Sequence, residues 1–335
     1  MASFGESSGP LLMSRSEVAR YLDLDGCINA VEAAFRVHGA GQVPPPAVAS
    51  VPASGGAFHV KAGLFGTEPE YFAAKLNANF MDNRRIGLPT IQGIIALCDG
   101  RTGRLLALMD SIEITAVRTG AATAVAAKYL ARADARVATI CGCGTQGRAQ
   151  LRALARVCRL EEVHLFDTDP NAAEALAGEL TGELGLTIRV VGEPGRAISA
   201  SDICVTCTPA RAAFLHPEMV SPGTFIAAVG ADAEHKQELA PELFVGAMVV
   251  ADVLAQSATM GDLHHALSAG VIQLSEVHSE LGEIVAGRKP GRTGADQIII
   301  FDSTGMAIQD AAAAALVYQR RCADEGEVFR FNFGS

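Results

Sequence analysis

Three glycines, Gly142, Gly144 and Gly147, fall in the order G-x-G-x-x-G inside VATICGCGTQGRAQL, residues 137–151. An apolar, strand-like run leads into them and a helical run follows. Asp167 comes 20 positions after Gly147, at the end of a second apolar run, EEVHLF. This is the layout of a dinucleotide site. Gly142 permits a tight turn, Gly144 lets backbone approach a pyrophosphate, and Gly147 lets the helix pack closely on the strand. The helix N-terminus offers free N–H groups and a partial positive charge to phosphates. A carboxylate at position 167 can accept both hydroxyls of an adenosine ribose and would repel a 2′-phosphate. NAD is therefore expected over NADP. Arg148 and Arg152, on the helix after the glycines, keep NADP open.

Other charged residues stand out against apolar surroundings. Lys75 lies in FAAKLNANF, where an unpaired lysine would be out of place, so it is paired or functional. Arg118 is the one charge in residues 115–127, and arginine can grip a carboxylate with two parallel hydrogen bonds. Asp232 follows a strand end in VGADAEHKQEL, and the carboxyl ends of strands in such sheets face the ligand crevice. Lys61, in AFHVKAG, is a second lysine in an apolar strand, 14 positions before Lys75. Strand alternation sets it with His59, opposite Phe58, Val60 and Ala62. The pair Cys204 and Cys207 reads as small buried residues of a strand rather than half a metal site. His264 and His265 diverge on a helix, so at most one is expected to face a site, and no metal is expected.

These residues need positioning. Up to about residue 40 the pattern is helical, with Ser14 or Ser16 as a first cap. VPPPAV interrupts it. Short strands then follow in AVASV, AFHVKAG, FAAKLNANF, TIQGIIALCD and RLLALMD, separated by turn-like segments such as DNRRIGLP. A helix of small residues opens near Thr115 and runs into the glycine-loop strand. Strand and helix then alternate to about residue 300, which predicts a doubly wound parallel sheet. The last segment, IIIFDSTGMAIQDAAAAALVYQRRCA, reads as strand, turn and helix returning to the first domain. The fold class is thus α/β, with one domain inserted into another of α+β type.

Composition narrows the function. At 335 residues the chain can bury two cores. A net charge of −10 with no basic face argues against nucleic acid. No apolar run is long enough for a membrane span. The opening MASFGESSGP has no charged stretch before an apolar core and is not read as a secretory signal. A cytoplasmic chain with eight reduced cysteines is expected.

The segments NANFMDNRRIGLPTIQG, LALMDSIEITAVRTGAATAVAAKYLA, ICGCGTQGRAQL, AAVGADAEHKQELA and FDSTGMAIQDAAAAALVY together resemble the ornithine cyclodeaminase/mu-crystallin family, over about residues 30–325. The resemblance implies a substrate-binding and dimerisation domain built from both chain ends, residues 1–125 and 301–335, around a Rossmann domain of residues 126–300. It implies a homodimer. It also implies hydride transfer between a nicotinamide and the α-carbon of a small amino or imino acid, as in cyclodeaminases, alanine dehydrogenases and ketimine reductases. A ligand-binding protein without catalysis, as mu-crystallin suggests, is the alternative. By the same resemblance Arg118 contacts the substrate carboxylate, Lys75 lies against its carboxyl or imine group, and Asp232 is the general base. Thr90, Thr119, Gly144, Thr145, Gln146, Asp167, Thr208 and Ser303 match cofactor contacts. One departure matters. The family's cyclodeaminases carry an arginine shortly after the proline-rich turn, where this chain has PPPAVASV. Lys61 is expected to supply the missing charge. No acidic group for the terminal amine of a longer substrate is identifiable, so cyclisation, hydrolysis and reduction all stay open.

Overall fold

The computed structural model describes residues 9–66, 68–326 and 329–331. Residues 1–8, most of the segment read above for signal character, lie outside the described residues. The chain divides into two compact units, residues 1–118 with 306–335, and residues 119–305.

The first unit opens with β1 (Leu11–Met13), α1 (Arg15–Tyr21) and α2 (Leu24–Gly39). Ser14 is the cap of α1, in a reciprocal box: its hydroxyl accepts the Glu17 N–H and the Glu17 carboxylate accepts the Ser14 N–H at 2.8 Å. The strands that follow are β2 (Ala47–Ala53), β3 (Gly56–Phe65), β4 (Tyr71–Asn79), β5 (Ile91–Asp99) and β6 (Leu105–Asp110). They form an antiparallel meander, and β1 adds in parallel beside β6. The three residues of β1 are too few to show an alternating pattern, which is why the sequence does not announce them.

Register decides which side chains share a face of this sheet. Lys61 on β3 is directly opposite Lys75 on β4, and His59 is opposite Asn77. The intervening residues point the other way. Val51, Phe58, Val60, Leu76 and Ile94 fall on that second face and are exposed, at 36–57 %.

Helix α3 (Ile112–Leu130) carries the chain from one unit into the other. It begins three residues before the expected Thr115, because the Asp110 carboxylate accepts the Ile112 N–H at 2.9 Å.

The second unit runs β7 (Val137–Cys141), α4 (Thr145–Val157), β8 (Glu162–Phe166), α5 (Pro170–Leu184), β9 (Thr187–Val190), α6 (Gly195–Ser199) and β10 (Ile203–Thr206). After these come β11 (Arg211–Leu215), β12 (Phe225–Ala228), β13 (Gln237–Leu239), β14 (Met248–Ala251), α7 (Leu254–Ser257), α8 (Asp262–Ser268), β15 (Ser279–Glu280), α9 (Leu281–Val285) and β16 (Ile299–Asp302). Eight of these strands make one parallel sheet in the order β15-β14-β16-β12-β10-β7-β8-β9, while β11 and β13 pair separately. Every residue of β10, β12 and β16 is buried. Such strands show continuous apolar runs, because helices cover both faces of a parallel sheet.

One placement differs from the sequence reading. The strand of IIIFD does not return to the first unit but lies inside the parallel sheet, between β12 and β14. A short apolar run fits the interior of either sheet, and nothing in it selects the partner. The chain returns with α10 (Ala307–Ala323), which packs on α2, β3 and β4. Among the described residues no helix is long and apolar enough to cross a membrane.

Candidate active site

Three of the residues singled out in the sequence meet in the first unit. Lys75 is buried on β4, and its ammonium lies 2.9 Å and 2.7 Å from the two carboxylate oxygens of Asp310 on α10. Arg118 is buried on α3. Its Nε donates to Asp310 Oδ1 at 2.9 Å, and its Nη1 donates to Gln309 Oε1, also at 2.9 Å. Lys61 faces the same group from β3, close enough for its charge to act on both Lys75 and Asp310. Like charges directly opposite on paired strands are destabilising, so this register is not a device for stability. Burial pulls the Lys75 ammonium down to about 7. Asp310 opposes the shift, and the Arg118 and Lys61 charges add to it. Burial pushes the Asp310 carboxyl up, but the Arg118 and Lys75 charges outweigh it and hold the group below its usual value. Asp310 is therefore ionised, and Lys75 can gain or lose a proton near neutrality.

Sequence reasoning missed Asp310 and Gln309. The signal was available: Asp310 is a lone carboxylate in IQDAAAAALV, an apolar helical run, and the logic applied to Lys75 applies to it equally. Gln309 Nε2 is buried and finds no acceptor among the described residues. Thr90 precedes β5, where its carbonyl accepts the Phe80 N–H, and Thr119 is buried on α3 beside Arg118.

The glycine loop lies in the second unit. Gly142 has φ +104°, a value that favours glycine, and a Cβ there would fall 2.7 Å from the Cys207 carbonyl oxygen. A Cβ on Gly147 would fall 2.0 Å from the Gly142 carbonyl oxygen. A Cβ on Gly144 would meet nothing within 4 Å. Gly142 and Gly147 are thus required by the protein's own packing, and Gly144 is not. Gly144 is the N-cap of α4 and offers no side-chain cap, so Thr145 and Gln146 begin a helix whose leading N–H groups face an open approach. The Gln146 Oε1 is buried without a partner among the described residues. Asp167 ends the next strand, and its carboxylate accepts the Cys143 N–H at 2.7 Å and the Asp169 N–H at 2.9 Å. The carboxylate is thereby fixed against the loop. Open backbone over Gly144, an uncapped helix and an anchored carboxylate are what a dinucleotide's pyrophosphate and ribose require.

The two arginines that kept NADP open are engaged elsewhere. Arg148 is 2.8 Å from both oxygens of Glu179, and Arg152 is 2.6 Å from Glu183 and 3.0 Å from Glu179, both on α5.

The remaining residues of the second unit are held by buried carboxylates. Glu238 accepts the Thr208 N–H at 2.6 Å, the Thr208 hydroxyl at 2.7 Å and the Gly230 N–H at 2.8 Å, so it ties the chain after β10 to the chain after β12. Asp252 holds the turn after β16. It lies 3.5 Å from the Ser303 hydroxyl and accepts the Gly305 N–H at 2.6 Å. Asp232 follows β12 and is half exposed, with its carboxylate 2.5 Å from the Lys236 ammonium. Sequence reasoning did not single out Asp252, and it read Glu238, near Asp232 in the chain, as structural. Cys204 is buried on β10, and Cys207 donates to the Gly142 carbonyl at 3.2 Å. His265 meets the Lys236 carbonyl at 2.8 Å, while His264 lies 3.3 Å from that of Ala258. No cluster of His, Cys, Asp or Glu among the described residues is arranged to hold a metal ion.

Known proteins share this fold over nearly the whole chain. The family model described as Ornithine cyclodeaminase/mu-crystallin family matches residues 9–325. An uncharacterized cyclodeaminase of Sinorhizobium fredii is 43 % identical over 308 residues, covering 89 % of this chain and 91 % of that one. An archaeal alanine dehydrogenase dimer with bound NAD superposes with a TM-score of 0.91 at 37 % identity, covering 96 % of this chain and 99 % of that one. The Δ1-pyrroline-2-carboxylate reductase of Thermococcus litoralis, in complex with NADH and L-proline, gives 0.89 at 35 % identity over 93 % and 98 %.

The glycine geometry sets up a paired test. Gly144→Ala should leave Tm unchanged but weaken NADH binding about tenfold or more, since its methyl enters only the open approach. Gly147→Ala should lower both Tm and affinity, because its methyl meets backbone. Fluorescence titration with NADH beside thermal melts decides it. Wild-type affinity in Gly144→Ala would place the dinucleotide elsewhere.

Proposed function

The chain belongs to the ornithine cyclodeaminase/mu-crystallin family and is an NAD-dependent enzyme of it; on that premise we propose that it acts on a small L-amino acid or its imine. The observation that carries the proposal is the buried group of Lys75, Arg118 and Asp310, two cations to one carboxylate. That excess of positive charge in a desolvated setting suits one substrate carboxylate. NAD, when bound, supplies the acceptor for a hydride from the α-carbon, and its reduced form the donor for the reverse. In this reading Gly142, Gly144 and Gly147, with Thr145 and Gln146, hold its pyrophosphate, and Asp167 takes the adenosine ribose hydroxyls. Thr90, Thr119, Thr208 and Ser303 are assigned further contacts with it. The engagement of Arg148 and Arg152 with Glu179 and Glu183 supports NAD over NADP.

Arg118 binds the substrate carboxylate and Lys75 lies against it, with Lys61 in the place of the arginine absent from PPPAVASV. Asp232 is assigned proton exchange with the substrate amine or with water. The Lys236 ammonium, 2.5 Å away, is the neighbouring group with which such a base would share its proton.

A homodimer accompanies this reading. The exposed face of Val51, Phe58, Val60, Leu76 and Ile94 is a continuous apolar surface of the kind a second copy covers, and the archaeal relative is a dimer. Light scattering should give twice the chain mass of 34.8 kDa, and a monomer would contradict the assignment.

The activity is tested by a panel. NADH oxidation is followed with pyruvate plus ammonia and with Δ1-pyrroline-2-carboxylate, and ammonia release with ornithine plus NAD, because cyclisation returns the hydride and leaves no net NADH. At least one should turn over. Arg118→Ala should abolish that turnover at unchanged substrate concentration while NADH still binds, a loss on the order of 2–5 kcal/mol. Near-wild-type turnover in Arg118→Ala would remove the carboxylate role.

A further inference from the structure

We propose that Asp310 is a positioning residue for the reaction, its carboxylate fixing the Lys75 ammonium and the Arg118 guanidinium for one substrate carboxylate and offsetting their mutual repulsion. The inference rests on the reading of Lys75 and Arg118 as substrate ligands.

The geometry is specific. Asp310 is in the first turn of α10, in a run otherwise made of alanine and aliphatic residues, and its carboxylate is 1 % exposed. One oxygen accepts from both Lys75 and Arg118, at 2.9 Å each, and the other lies 2.7 Å from Lys75. The preceding residue, Gln309, accepts from a second nitrogen of the same guanidinium at 2.9 Å. Two consecutive residues of one helix therefore fix the guanidinium plane. A buried pair formed only for stability needs one cation per carboxylate and gains little over apolar packing. Here one carboxylate serves two cations, which leaves them attractive to a further anion.

The charges around Lys75 come from three elements: Asp310 on α10, Arg118 on α3 and Lys61 on β3. Cys27, on α2, faces Arg118 and Asp310, but burial pushes its thiol up to about 12, so it stays neutral. Asp310 is the one anion among these groups. Without it, burial and two neighbouring cations would all act to strip the proton from Lys75. With it, Lys75 is held at about 7.

The test is Asp310→Asn, which keeps the shape and an acceptor oxygen but removes the charge. NADH affinity should be unchanged. KM for the acid substrate should rise at least roughly tenfold. The alkaline limb of the pH profile of kcat/KM, where Lys75 loses its proton, should move about one pH unit or more toward acid. Lys61→Met removes a like charge and should move the same limb toward alkali. An unmoved limb in a folded, NADH-binding Asp310→Asn variant would overturn the proposal. Should that variant fail to fold, the Lys61→Met limb decides, and no alkaline movement overturns it. Lys75→Met separates the two levels: a wild-type KM there would remove the carboxylate reading itself. Its loss of activity beside an unmoved Asp310→Asn limb would sink only the role of Asp310.

Discussion

Two cations buried side by side cannot stand alone. The desolvation cost of each is several kcal/mol even after relaxation, and an unpaired buried lysine discards its proton instead. Asp310 resolves this for Lys75 and Arg118 together. It lies 235 residues beyond Lys75 and 192 beyond Arg118 in the chain. The chain must therefore come back to the first unit after building the second, and α10 is that return. Residues 119–305 are accordingly inserted between the two parts of the first unit.

The parallel-sheet unit obeys a different constraint. The loops around Gly142, Thr208 and Ser303 are held by backbone contact and buried carboxylates. Gly142 and Gly147 let β7 and α4 meet, Glu238 gathers the chain after β10 and β12, and Asp252 gathers the turn after β16. Burial raises the Glu238 carboxyl, while the N–H and hydroxyl groups of Thr208 act to lower it. What this rigid frame leaves open is the space over Gly144, at the start of an uncapped helix. The first unit thus holds an excess of buried positive charge, and the second holds backbone donors beside a fixed carboxylate.

Much of this was legible in the sequence, for identifiable reasons. Glycine spacing between an apolar run and a helix located the loop, and the distance to Asp167 located the carboxylate anchored against it, because both are local. Lys75 and Arg118 stood out as charges in apolar runs. Asp310 did so too, yet a carboxylate in an alanine-rich helix has no meaning until its partners across the fold are known. β16 was assigned to the wrong sheet because its three buried apolar residues, with Asp302 after them, carry no mark of their neighbours. β1 left no mark because it is three residues long. Asp252 went unassigned because its work is done on the turn after β16, 51 to 53 residues away in the chain.

The central claim is that the cation pair presents the α-carbon of an amino or imino acid for hydride exchange with NAD. It is tested most directly by running the reductive reaction with NADH carrying deuterium at the transferable position and weighing the amino-acid product. One deuterium on the α-carbon is the expected result. A product formed without deuterium at that carbon would contradict the account.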